Sequence, residues 1–167
     1  MLNYFHLFNL PESFFVDEQA VRQAYQRLQA QHHPDRHIGY SPEEQHRALA
    51  MASDVNEGWR VLRSPVLRAG HLLALRGMDQ GEVSLSPEFL MQQIAWREQL
   101  ESSGQLRQLE ALRAQLRHEM DHEARQFEQE LARVDAPKAR SAHAHLQFFH
   151  RLLQEIEQRV DHMDEES

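Results

Sequence analysis

Gln31-His32-His33-Pro34-Asp35-Arg36-His37 is the stretch on which the fold turns. Upstream, Ala20/Val21, Ala24/Tyr25 and Leu28 recur at the spacing of an amphipathic helix, predicted from about Glu18 to His32 with Asp17 as its N-cap. Pro34 ends that helix, because a proline pushes the residue before it out of the α region. Downstream, a polar loop containing Gly39 leads to Ser41-Pro42, where a second helix is predicted to start. Ser41 can cap it, Pro42 suits its first position, and Glu44 stands where a capping box needs an acid. Its expected core stripe is Leu49, Ala52, Val55/Asn56, Trp59 and Leu62. The quoted stretch is therefore a proline-stiffened loop between two antiparallel helices, displaying a histidine and an aspartate. That display suits charge-assisted contact with an arginine of a partner. It does not suit catalysis, since no nucleophile or metal set accompanies it.

The rest of the chain is helical in composition. Among 167 residues, 41% are hydrophobic and 26% charged, with only 6 glycines and 6 prolines, so an all-α fold is expected. The absence of cysteine excludes disulfides, thiolate metal sites, Fe–S ligation and cysteine nucleophiles. A net charge of −8 argues against a nucleic-acid partner. No basic n-region with a long apolar run opens the chain, and no run is long enough to span a membrane. A cytoplasmic protein with no membrane partner, no cofactor and no bound metal is expected. The 12 histidines read mostly as solvated polar positions.

The aromatic start Tyr4 to Leu10 is stopped by Pro11 and reads as a short helix or turn on a core. Ser64-Pro65 breaks the second long helix and starts a shorter one, Pro65 to Arg76, with Gly77 as its C-cap. Residues 77–86 carry little apolar pattern and are expected to form a linker. Ser86-Pro87 opens the next helix, which runs to about Ser102. A long helix follows with Leu106, Leu109, Leu112, Leu116, Met120, Phe127, Leu131 and Val134 as its stripe, broken by Ala136-Pro137. The last helix carries Ala142, Leu146, Phe149, Leu153, Ile156, Val160 and Met163, the seam of an antiparallel bundle. The expected domains are thus 1–76, a helical hairpin, and 87–167, a three-helix bundle, joined by 77–86.

Some apolar residues exceed what that bundle needs. At about 100° per residue, Phe89, Gln93, Trp96 and Leu100 share the core face of their helix. Leu90, Met91 and Ile94 fall on the other side, near Arg97 and Glu98, and Phe148 lies off the stripe that holds Phe149. These four are expected to form a partner site, unless the helix is wedged against two neighbours.

His33-Pro34-Asp35 between two helices resembles the signature of J-domains, the activating modules of DnaK-type ATPase chaperones. The resemblance extends over essentially the whole chain. Tyr4-Phe5-x-Leu7-Phe8-x-Leu10-Pro11 resembles the start of the HscB family of J-domain co-chaperones. So does Val55-Asn56-x-x-Trp59-x-x-Leu62-x-x-Pro65-x-x-Arg68-Ala69-x-x-Leu72-Leu73-x-Leu75-x-Gly77. Phe89-Leu90-Met91-x-Gln93-x-x-x-Arg97-Glu98-x-Leu100 is similar to the start of the family's C-terminal domain. The resemblance implies a non-enzymatic, bacterial-type co-chaperone whose J-domain stimulates an HscA-type, DnaK-family ATPase and whose C-terminal domain delivers the IscU-type scaffold of iron–sulfur cluster assembly. It implies a chaperone contact at His33, Pro34 and Asp35, flanked by Arg22, Arg27 and Arg36. It implies a scaffold contact at Leu90, Met91, Ile94, Arg97, Glu98 and Phe148.

The chain departs from the family pattern at several positions. Arg36 stands where lysine is common, and Ala95 where the scaffold-binding face often carries an acid. Gly58 and His71 replace the more usual alanine and tyrosine and are expected to loosen local packing. Two alternatives stand beside the main reading. One is a general J-domain protein with another client. The other is a zinc hydrolase built on His118-Glu119-Met120-Asp121-His122, which matches the H-E-x-x-H pattern. Helix phase argues against the second: Met120 belongs to the core stripe, so His118 and His122 point away from it into solvent.

Overall fold

The structure is a computed structural model that describes residues 1–166; the side chain of Pro34, and with it that residue's expected contact, lies outside the described part. Its helices are α1 (Tyr4–Leu7), α2 (Glu18–His32), α3 (Pro42–Arg63), α4 (Pro65–Leu75), α5 (Pro87–Glu101), α6 (Leu106–Ala132) and α7 (Ala136–Glu165), with a 3₁₀ turn at Pro34–His37. The described residues contain no strand, and the protein is all-α. It divides into two compact units, Met1–Leu75 and Arg76–Ser167.

In the first unit the predicted caps set the helix ends. Asp17 accepts from the amides of Gln19 and Ala20. Ser41 and Glu44 close a full capping box at 3.2 and 2.9 Å, and these hydrogen bonds hold the Glu44 carboxyl below its usual range. The hairpin is antiparallel. One end of α2 meets Trp59, Leu62 and Arg63, and its other end faces Leu49 to Asn56. Tyr25 clamps the pair, its ring stacked on Trp59 at 4.7 Å and its hydroxyl donating to Asn56 Oδ1 at 2.9 Å. Val21, Ala24 and Leu28 of α2 are buried with Val55 and Leu62 of α3, as the spacing predicts. Leu49 is not: it is 54% exposed, because α3 turns its Ala48 side to the hairpin at that level.

Two expectations about packing are corrected. Gly58 does not loosen the fold. A Cβ there would stand 2.7 Å from Phe8 Cε1 and 2.9 Å from Tyr4 Cδ1, so the missing side chain is what lets α1 seat on α3. His71 is also tightly held. It is buried, its Nε2 accepts the Tyr4 amide at 3.2 Å, and its ring lies against Phe5 and Tyr4 at 5.8 and 4.8 Å. Burial pushes its pKa below the usual histidine value. Arg68 is buried too. It donates to Leu62 O at 2.7 Å and to Phe14 O, and lies over the Phe14 ring at 5.0 Å. Burial brings its pKa down to about 10, which leaves it charged at neutral pH.

In the second unit α6 and α7 form a long antiparallel hairpin. Leu109, Leu112 and Leu116 pack with Phe149, Leu152, Ile156 and Val160 in one cluster, which α5 covers with Phe89 and Leu100. Val134 is outside this core. It is 72% exposed at the tip of the hairpin with φ +59°, so the expected stripe stops at Leu131. Residues 77–86, expected as a linker, contain no helix but cluster with the second unit. Met78 is buried, its carbonyl accepts from Arg140 Nη1 at 2.9 Å, and the Ser84 carbonyl accepts from Ser141 Oγ at 2.9 Å. This strap also brings Leu85 against the core.

Candidate functional site

The first candidate site is the turn between α2 and α3. His33 ends α2 with extended backbone (φ −62°, ψ 133°) and caps the 3₁₀ turn that follows. Its Nδ1 accepts the amide hydrogen of Asp35 at 3.2 Å. A ring nitrogen that accepts carries no proton, so the 3.5 Å approach of Asp35 Oδ2 to the same atom is not an ion pair in this geometry. Its consequence is a histidine that organises the backbone while the aspartate, whose side chain is 81% exposed, keeps its carboxylate free for solvent or a partner. Arg22, Arg27 and Arg36 are all exposed. An open hollow of about 410 Å³ runs beside His33, lined by Gln29, Leu49, Ala52 and Asn56 among others.

The second candidate site is the outer face of α5. Ser86 Oγ accepts the Phe89 amide at 3.1 Å and starts the helix. Only Phe89 and Leu100 of α5 are fully buried, with Gln93 and Trp96 partly so. Leu90, Met91 and Ile94 are 46%, 71% and 60% exposed on the opposite side. Arg97 is partly engaged, its Nη1 donating to both carboxylate oxygens of Glu155 at 2.8 and 2.6 Å, while Glu98 is exposed. Ala95 is also exposed and contributes no charge.

Phe148 does not join that outer face. It is 7% exposed and sits edge-on to both Phe89 and Phe149, at 5.8 and 5.4 Å. It is not surplus to the core: α7 is wedged between α6 and α5, so two of its faces are buried. His118 and His122 are exposed, as helix phase predicts. Among the described residues no group of three or more metal-ligating side chains is placed to hold an ion. Not every histidine is a solvated polar position. Besides His71, His145 is largely buried: Phe89 stacks on its ring at 3.7 Å, and Glu123 lies 3.0 Å from its Nδ1. Residue type gives no signal of this burial, but phase does: His71 lies four residues from both Leu67 and Leu75, and His145 lies three after Ala142 and four before Phe149.

A hairpin that presents an aspartate at its turn, followed in the same chain by a helical bundle with an apolar outer face, is the architecture of a J-domain co-chaperone. Comparison with known proteins narrows this. Residues 85–157 match the family model described as the HSCB C-terminal oligomerisation domain. The co-chaperone protein HscB homolog of Paraburkholderia phymatum is 36% identical over 97% of this chain and 96% of its own. The homolog from Azoarcus sp. is 37% identical over the same shares of the two chains. The solved chaperone HscB from Vibrio cholerae superposes with a TM-score of 0.84 at 30% identity, covering 97% of this chain and 99% of its own. The chain belongs to the HscB co-chaperone family.

Proposed function

We propose that this co-chaperone works in iron–sulfur cluster assembly as a two-ended adaptor. Its first unit stimulates ATP hydrolysis by an HscA-type, DnaK-family chaperone, with Asp35 as the acceptor for a partner arginine, the His33-Pro34 turn presenting it, and Arg22, Arg27 and Arg36 alongside. Its second unit holds the IscU-type scaffold on Leu90, Met91 and Ile94, with Arg97 and Glu98 on the same face and Phe148 supporting it from behind through Phe89. Tethering then raises the effective concentration of scaffold at the chaperone.

The observation that carries this reading is the exposure of Leu90, Met91 and Ile94 on one turn and a half of α5. They contribute little to the fold they sit on, and covering each would supply about 1 kcal/mol to a complex. Asp35 supports the other end, since a carboxylate whose side chain is 81% exposed offers a charge-assisted contact to a partner cation. The test is steady-state ATPase of an HscA-type chaperone with this protein, with and without IscU. Asp35→Asn is expected to abolish stimulation with circular dichroism unchanged. Ile94→Ala is expected to remove the additional effect of the scaffold while leaving stimulation by the co-chaperone alone. Stimulation that survives Asp35→Asn would overturn the assignment of the first unit.

A further inference from the structure

The outer face of α5 is only as well aimed as α5 itself, and α5 is held mainly at its two ends. At the C-terminal end Leu100 is fully buried and its carbonyl accepts from Arg159 Nη1 at 3.0 Å. Partly buried Trp96 packs against the core between the ends. At the N-terminal end the anchor is Phe89, the residue immediately before Leu90. Phe148 and Phe149 meet Phe89 edge-on, but its flat contact is with the imidazole of His145, at 3.7 Å and an interplanar angle of 19°.

That imidazole is not free to turn. Its Nδ1 lies 3.0 Å from Glu123 Oε2, with side chains 19% and 16% exposed, so a carboxylate on α6 fixes the ring plane that α5 rests on. The arrangement resembles the support given to metal or catalytic ligands, where an outer residue orients the one that makes contact. Side-chain tips lie about 5 Å from a helix axis, so a rotation of α5 by about 20° would move Leu90 and Ile94 by roughly 1.7 Å. Shape complementarity at a docking face does not survive such a shift.

We infer that His145, oriented by Glu123, is a positioning residue for docking on α5, acting through Phe89 on the Leu90, Met91 and Ile94 face. The inference rests on the reading of that face as the scaffold site. Neither residue touches the scaffold; they set the angle at which the face is offered.

The experiment uses the full chain and purified IscU-type scaffold, with affinity measured by titration calorimetry. His145→Ala and Glu123→Ala are each expected to weaken binding about threefold to tenfold. Glu123→Gln, which keeps a hydrogen-bonding partner for the ring, is expected to restore most of it. ATPase stimulation without scaffold should be unchanged in all three. His145→Ala combined with Leu90→Ala is expected to be less than additive, since a misaimed face gains less from Leu90. Full affinity in His145→Ala, strict additivity, or a Gln variant as damaged as the Ala variant overturns the inference. If His145→Ala does not fold, the two Glu123 variants decide it. If Leu90→Ala alone leaves affinity intact, the scaffold reading falls first. The positioning claim is then read from the emission of Trp96 in a Trp59→Phe background: a spectrum unmoved by Glu123→Ala overturns it as well.

Discussion

Replacing Gly58 with alanine sets two known effects against each other. Gly58 lies in the interior of α3, where alanine is favoured by about 1 kcal/mol on helix propensity. The added methyl group would meet Phe8 Cε1 at 2.7 Å and Tyr4 Cδ1 at 2.9 Å. Ordinary carbon contacts lie near 3.5–4.0 Å, so the overlap approaches 1 Å against two rings at once. Neither ring has an easy retreat. Phe8 is fully buried, and the Tyr4 ring lies against the ring of buried His71 at 4.8 Å. Overpacking of this kind costs about 1–3 kcal/mol. The net expectation is a loss of about 1 kcal/mol, or 4–8 °C in the melting point of a unit this size. Urea unfolding followed by Trp59 fluorescence in a Trp96→Phe background reads the first unit alone. A midpoint that rises on substitution would refute the reasoning, since it would show that the rings yield cheaply and that α1 does not depend on a glycine.

Three further predictions follow from the same geometry. Because burial lowers the His71 pKa, the unfolded chain binds the proton more tightly, so the first unit is expected to lose stability as pH falls below about 6.5. Melts at pH 7.5 and 5.5 should show a drop that His71→Gln reduces, and an equal drop in both proteins would rule His71 out as its source. Phe148→Ala is expected to cost the second unit about 3–5 kcal/mol as a core truncation, whereas Ile94→Ala should change stability by less than about 0.5 kcal/mol; denaturant titrations giving the two similar values would contradict their placement. At the tip between α6 and α7, Val134 and Asp135 donate to Leu131 and Glu130 in a Schellman arrangement whose left-handed position is filled by a β-branched residue. Val134→Gly is expected to raise stability by about 0.5–1 kcal/mol, and a lower melting point would show that the valine is not strained.

The sequence made the hairpin and the outer face of α5 legible for a common reason. Caps at Asp17 and Ser41, the break at Pro34 and the phase of Phe89 against Leu90 are local properties, decided within one or two turns. What it concealed depends on neighbours distant in the chain. Phe148 reads as surplus only if α7 has one partner, and it has two. Gly58 and His71 look like separate weak points, yet both abut Tyr4, one leaving room for its ring and the other accepting its amide. His145 and Glu123 are separated by 22 residues and by the turn of a hairpin. Polar pairs of that kind leave no periodic trace, so only the packed structure reveals that one aromatic ring of α5 depends on them.

The strap that precedes α5 bears on how the chain can be divided. A cut chosen by secondary structure would fall just before Pro87 and discard Met78 and Leu85, both of which pack within the second unit. It would also leave Arg140 without the Met78 carbonyl and Ser141 without that of Ser84. The smallest piece expected to fold on its own therefore begins near Arg76, some ten residues ahead of its first helix. Backbone outside any helix here acts as a structural layer, and a family boundary drawn at residue 85 passes through it.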